Sequence, residues 1–586
     1  RFIMKKINFK AVAVFFVGAM MLSSCASLQK MKKNADKINY TVTPEVLVAK
    51  GGNVDVEIQG RIPEKFFNKK ATITATPVLT YEGGEKAYAP YKLQGEKVEA
   101  NNKVISYTNG GTFSYKGTVP YVDGMRKSDL VVRITASQGD KSLDFDPVKI
   151  ADGVIATSTL VKDKPASIVG VEKGKNTTGV YDPTIDKFQR VVPDEYKADL
   201  MYLINSAYVR GSQLKKEDMV KLNEYIKDAA EAERKDLKGV AVSAYASPDG
   251  TEAFNTKLAE KREGTTTKVL DKKLKKDKVE TTVTGKYTPE DWEGFKELME
   301  KSNIQDKEMI LRVLSMYQDP EVREREIKNL SGPFQEIAKT ILPKLRRSKI
   351  IASVDLIGKT DEEIANLADT DPSKLNQAEL LYAASLTEDL NKQKAIYTSF
   401  TRQFPEDWRG YNDLGVVEMM QGNTSDAQSN FAKADKLDPK NAIVQNNLGG
   451  VALVNGDLDK AQELFSAASG AGQEVNYNLG TVSILKGDYD AAVKYFGDGT
   501  CVNKALAQML TDDNNGALRT LNNLKKESAL GDYLKAIIGA RTAKTTLLYD
   551  SLKAAVNKDA KYKDIAKVDL EFAKYFNDGQ FKSIVE

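Results

Sequence analysis

The stretch Trp408–Pro439 reads W-R-G-Y-N-D-L-G-V-V-E-M-M-Q-G-N-T-S-D-A-Q-S-N-F-A-K-A-D-K-L-D-P. Its landmarks are Trp408, Tyr411, Leu414, Gly415, Gly422, Ala427, Phe431, Ala434 and Pro439. Leu448, Gly449, Gly456, Ala461, Phe465 and Ala468 repeat them 34 residues on (448 − 414 = 34). Leu479, Gly480, Gly487, Ala492 and Phe496 form a third copy, which arrives early (479 − 448 = 31). A weaker copy precedes these at Leu381, Ala383, Ala395 and Tyr397, and helical pairs continue to about Phe581. A period of this length is that of two paired helices. Gly and Ala fall where the helices touch, and the aromatic fills the gap between pairs. One pair cannot bury its own apolar face, so the copies must stack into a solenoid with a concave groove. The chain from 361 to 586 is therefore predicted to be all-α.

The pattern resembles the tetratricopeptide (TPR) repeat, position by position. The resemblance implies structural roles for Tyr411, Leu414, Gly415, Ala427, Phe431, Pro439, Leu448, Gly449, Ala461, Phe465, Leu479, Gly480, Ala492 and Phe496. It also implies that the groove holds a protein partner as a peptide or helix; a plain spacer is the alternative. Cys501 lies at a helix start and reads as an inert thiol.

Upstream, Val240, Val242 and Ala244 alternate as in a strand and run into a Ser247-Pro248-Asp249-Gly250 turn. Asn255, Leu258 and Arg262 follow at helical spacing, along one side. This strand–turn–helix resembles the heart of the OmpA-like, peptidoglycan-binding domain. Gly250, Asn255, Leu258 and Arg262 match the family pattern, and Arg262 lies 15 positions after Ser247 (262 − 247 = 15). The family clamps diaminopimelate between that arginine and an aspartate, and here Ser247 stands in the aspartate's place. The resemblance implies Arg262, Asn255, Ser247 and Asp249 as a peptidoglycan-binding set. A solvated Arg262 paired with Glu260 or Glu263 is the alternative. The basic run at 344–349 resembles the family's closing strand, which accounts for it without nucleic acid. The unit is predicted over 195–356, as a mixed α/β sandwich. Its expected elements are strands 200–204, 239–245 and 279–283, helices 216–232 and 252–275, a helical insertion over about 289–343, and the closing strand.

At the N-terminus, Met4-Lys5-Lys6 and the apolar run Ala11–Leu22 read as a secretory signal over 1–24. Leu22-Ser23-Ser24-Cys25 resembles a bacterial lipobox, which implies cleavage before Cys25 and acylation of that residue. Residues 25–39 read as a polar tether, with no acidic cluster to mark export to the cell surface. The expected location is the periplasmic side of the outer membrane. Residues 40–161 carry about seven short strands split by Gly-Gly, Asn-Gly and Asp-Gly breaks, the pattern of an immunoglobulin-like β-sandwich. Residues 162–194 read as a linker.

Composition sets limits. The chain has 586 residues, too many for one core, and 86 basic against 82 acidic side chains leave a net charge of only +4. That gives no field for nucleic acid. It has no histidine and two cysteines, so His-activated nucleophiles and the usual zinc sites cannot be built. The expectation is a non-enzymatic scaffold with no cofactor and no metal, anchored to the outer membrane by lipid. It would bind a protein through its repeats and peptidoglycan through the OmpA-like domain, as an accessory to secretion or outer-membrane protein assembly. The alternative is a surface-exposed lipoprotein that binds glycan or host protein through the sandwich.

Overall fold

Twelve strands form between Asn39 and Ile155, because β-branched and aromatic residues alternate there with polar ones. These and the following elements are those of a computed structural model that describes residues 26–162, 188–469 and 472–586. The signal segment 1–24, Cys25 and most of the 162–194 linker lie outside the described residues. The chain divides into two compact units, one of residues 1–186 with 387–586, the other of residues 187–386.

In the first unit β1 (Asn39–Thr43), β2 (Leu47–Lys50) and β3 (Asn53–Ile62) build one sheet. β4 (Thr72–Tyr81), β5 (Gly84–Ala87), β6 (Tyr91–Gly95) and β7 (Lys103–Ile105) enter the other. β8 (Gly111–Pro120) returns to pair with β3, and β9 (Ser128–Gln138), β10 (Lys141–Asp144) and β11 (Val148–Asp152) complete the second sheet. β12 (Val154–Ile155) closes the first sheet by running parallel to β2. The two sheets share their cores: Ile62 and Phe113 of the first pack with Ile73, Leu93 and Ile134 of the second. Gly60 leaves room for the Phe113 ring, which a Cβ there would strike.

The tether expected over 25–39 is instead part of this core. Residues 26–33 form a helix, α1, and Leu28, Met31, Ala35 and Ile38 are buried against the sheets. Their spacings of three, four and three residues put them on one side, while the lysines between them stay polar. The Ser27 hydroxyl donates to Gln138 Oε1 at 2.8 Å, and Lys32 pairs with Asp146 at 3.1 Å.

Helical pairs fill the rest of the unit, from Leu390–Gln403 to Gly579–Val585. In three successive pairs the repeat glycine faces the repeat aromatic. A Cβ on Gly415, Gly449 or Gly480 would lie 2.7 Å from the ring of Phe431, Phe465 or Phe496. Those rings, with Ala427, Ala461 and Ala492, are the buried contacts between helices. Aspartates 457, 488 and 513 cap the second helices by accepting from backbone N–H groups.

The second unit holds a four-stranded sheet in the order β13 (Val191–Met201), β16 (Arg347–Ile357), β14 (Lys235–Tyr245), β15 (Val283–Thr288). β14 runs parallel to β15 and antiparallel to β16. Helices Glu217–Glu231 and Glu252–Lys276 bury Met219, Leu222, Ile226, Leu270 and Leu274 on this sheet. Five short helices from Trp292 to Leu345 make the insertion, with their own core around Phe295, Met299, Ile310, Leu314 and Ile337.

Three boundaries differ from expectation. The first strand ends at Met201, because Tyr202 turns inward and Leu203 and Ile204, the apolar pair that suggested a strand, are exposed. The third strand begins at Val283, where the sequence pattern ends it. Helices Asp361–Thr370 and Gln377–Ser385, expected to open the repeats, belong to the second unit. Polar ties decide this: Asp361 pairs with Arg190, Glu363 with Arg234, and Glu379 with Lys359 at 2.9 Å.

Candidate functional site

The first helix of each pair carries a polar residue just before its Leu-Gly step: Asp413, Asn447 and Asn478, with Asn412 and Asn446 one position earlier in two of them. All five are essentially without solvent contact. Their side chains bond from helix to helix. Asn447 Nδ2 donates to Asn412 Oδ1 and Asn478 Nδ2 to Asn446 Oδ1, both at 2.9 Å. Asn412 and Asn446 each donate to their own neighbour, Asp413 at 3.0 Å and Asn447 at 3.2 Å. Amides suit such a chain because each offers both donor and acceptor.

Asn503, on the helix Val502–Leu510, ends the series differently. Its Oδ1 accepts from the Lys162 backbone N–H and its Nδ2 donates to the Lys162 carbonyl, both at 2.9 Å. Nδ2 also reaches Thr481 Oγ1 at 3.1 Å and the Tyr477 hydroxyl at 3.4 Å. Leu160 and Val161 pack beside it on the repeat core. The repeats thus hold by its main chain the residue that follows the helical turn Thr157–Leu160, with two hydrogen bonds. None of these residues was singled out from the sequence, although the phase of Asp413, Asn447 and Asn478 against the Leu-Gly step was there to read; the Asn503 helix has no such step.

The sandwich is docked on the same repeats by other contacts. The Thr157 hydroxyl donates to Glu571 Oε1 at 2.5 Å, and Arg541 fixes that carboxylate from the other side. Lys50 Nζ lies 5.6 Å from the Tyr489 ring centre, and a Cβ on Gly51 would press on the Lys486 carbonyl at 2.8 Å. Asp569, two residues before Glu571, is buried and accepts from the Tyr533 hydroxyl at 2.8 Å, and burial pushes its carboxyl pKa up. Cys501 caps its helix, its Sγ accepting from the Lys504 N–H at 3.4 Å, and burial raises the thiol pKa.

In the second unit the strand–turn–helix brings three of the four sequence-derived residues together. The Ser247 hydroxyl donates to Asp249 Oδ1 at 2.6 Å. Arg346, from the end of the insertion, donates to Ser247 Oγ at 3.3 Å and to Asp249 Oδ2 at 3.2 Å. Asn255 Nδ2 donates to the carbonyls of Ser247 and Gly250 and to Glu290 Oε1 at 2.9 Å. Trp292 Nε1 holds the other Glu290 oxygen at 2.8 Å, and burial raises the Glu290 pKa.

Arg262 stands apart. It is 0% exposed, and its guanidinium donates to three main-chain carbonyls: Ser206 at 3.0 Å, Tyr245 at 2.8 Å and Leu203 at 3.2 Å. It stacks on Tyr202 with 5.0 Å to the ring centre, and no described carboxylate bonds to it. Burial lowers its pKa to about 10. Arg347, next to Arg346, instead bridges Asp199 and Asp291, each at 2.8 Å.

A tetratricopeptide repeat family model matches residues 418–479. The chain carries tetratricopeptide repeats. This repeat fold is a protein-interaction scaffold and is typically non-catalytic. No curated protein matches the chain. Among solved structures, it is similar to a tetratricopeptide repeat protein from Parabacteroides merdae at 13% identity. That match covers 42% of this chain and 98% of the other, with a TM-score of 0.29. It is similar to PilW, a type IV pilus biogenesis factor, at 14% identity over 39% and 98% of the two chains, TM-score 0.28. Yeast Tom70 matches at 13% identity over 64% and 87%, TM-score 0.27. Likenesses this slight carry no argument about what the tetratricopeptide chain binds. Among the described residues no helix is long and apolar enough to cross a membrane, and no cluster of metal-ligating side chains is present.

Proposed function

We propose that this protein is a non-enzymatic scaffold, held on the periplasmic face of the outer membrane by a lipid on Cys25. It would carry a protein partner on its tetratricopeptide repeats as an accessory to secretion or outer-membrane protein assembly. The observation that supports the partner-binding part most directly is the grip of Asn503 on Lys162. A repeat surface that holds one segment by its main chain has the chemistry to hold another. The Leu22–Cys25 motif supports the anchor. Crosslinking in intact cells, followed by purification of the tagged full chain and mass spectrometry, tests the reading. An envelope protein should crosslink to residues 408–510, and recovery of none would sink the scaffold. Radiolabelled palmitate should enter the wild type and not a Cys25→Ala variant, and protease added to intact cells should spare a periplasmic chain.

Peptidoglycan is the second ligand of this proposal, through Ser247, Asp249, Asn255 and Arg262. Arg262 could reach a carboxylate only after the backbone of Leu203–Ser206 gives up its bonds. The full chain should co-sediment with purified sacculi, and retention no better than that of an unrelated protein would remove the wall from the proposal.

A further inference from the structure

We propose that Asn503, Thr481 and Tyr477 form a main-chain-reading subsite for a segment that leaves a short helical turn with two adjacent aliphatic side chains. The chain's own Leu160–Lys162 fills this subsite in cis. A partner's segment of the same chemistry would therefore bind by displacing Leu160–Lys162, so the scaffold is self-inhibited at this end of its repeats. The inference rests on the scaffold reading and adds the class of ligand and its regulation.

Three features support it. The grip addresses only backbone atoms of Lys162, so any residue except proline fits there. Leu160 and Val161 supply the side-chain part, and both are only partly buried against the repeat core. The attachment of the sandwich does not depend on these three residues. Thr157 to Glu571, Lys50 over Tyr489 and Gly51 against Lys486 hold it elsewhere. Leu160–Lys162 can leave while the sandwich stays docked. Two neutral hydrogen bonds and two half-buried aliphatic side chains make a contact that a competing segment can match.

The test uses a fluorescent peptide of the sequence A-T-S-T-L-V-K, that of residues 156–162, and the full chain. Anisotropy titration should show at least tenfold tighter binding to the Leu160→Asp/Val161→Asp chain, whose subsite is vacated, than to the wild type. Adding Asn503→Ala should abolish that gain. Equal affinity for the two chains, no binding to the vacated chain, or a gain that survives Asn503→Ala overturns the proposal. Hydrogen exchange on Asn503→Ala alone gives a second measurement. The Lys162 amide should exchange at least tenfold faster while amides of β4 keep their rates. Unchanged Lys162 exchange, or acceleration of both, overturns it too. A crosslinked envelope partner that the peptide does not displace defeats this inference and leaves the scaffold standing. Recovery of no partner defeats the scaffold whatever the peptide does.

Discussion

Asn503 and Arg262 are both buried polar side chains whose work is to bond main-chain groups, and the two regions they serve differ in whose main chain that is. Asn503 on the repeats bonds a segment 341 residues away in sequence, leaving from another domain. Arg262 bonds the loop and strand of its own sheet unit, at Leu203, Ser206 and Tyr245. A neutral amide matches one N–H and one C=O of a passing chain, so the contact is made and released at small cost. A guanidinium with no carboxylate partner must keep every carbonyl it has, since losing them strands a buried cation. The first arrangement suits exchange of ligands. The second suits holding a loop in place.

Substitution at the two positions should separate them. Arg262→Ala takes the donor from three part-buried main-chain carbonyls, at about 1 kcal/mol each, and removes the packing of a fully buried side chain. It should lower the stability of the 187–386 unit by about 3–5 kcal/mol in urea unfolding. A loss below about 1 kcal/mol would mean that the bonds to the loop are not made in solution. Asn503→Ala should cost the other unit only about 1–2 kcal/mol, two neutral hydrogen bonds, and leave its cooperativity intact. A loss as large as that at Arg262 would erase the difference between the two sites.

Asp569 gives a smaller effect with a defined sign. Burial raises its folded pKa above the ordinary carboxyl value, so folded protein keeps the proton to a higher pH than unfolded protein does. Stability from this group should fall as pH rises from the ordinary carboxyl range through the folded pKa, and be flat above it. The fall should be absent in Asp569→Asn, compared by thermal melts across mildly acid to neutral pH. The smallest expected effect is at Cys501. Its raised pKa leaves little thiolate, so iodoacetamide should modify it many times more slowly in folded than in urea-unfolded protein. Equal rates would mean that the repeat helix around it is open.

Much of this architecture can be read along the chain, and the failures are specific. The Gly415–Phe431 spacing and its two successors give the helix pairs, because a ring can fill the gap only where the facing residue lacks a side chain. The alternation of Val240, Val242 and Ala244, and the side shared by Asn255 and Arg262, place the second unit's strand and helix. Leu28, Met31, Ala35 and Ile38 were passed over among lysines, although their spacing is helical; a short amphipathic stretch looks polar by composition. Leu203 and Ile204 read as strand from hydrophobicity alone, yet they sit on the surface while the carbonyls of Leu203 and Ser206 are tied to Arg262. The asparagine series was equally present in the sequence, but nothing in one chain says that a buried amide is paired with its counterpart in the next repeat.

The sequence by itself determined the strong local periods: the helix pairs from Trp408 to Phe496, the strand and helix around Val240–Arg262, and which residues are small enough to let backbones meet. Periodicity settles these because it is a property of neighbouring residues. Tertiary structure alone decided partners. It joined the sandwich at 26–162 to repeats more than two hundred residues downstream and gave Lys162 to Asn503. It also turned Arg262 from an expected ligand contact into the anchor of Leu203–Ser206. Hydrogen-bond partners between distant segments depend on how whole elements pack, and packing leaves no period in the chain.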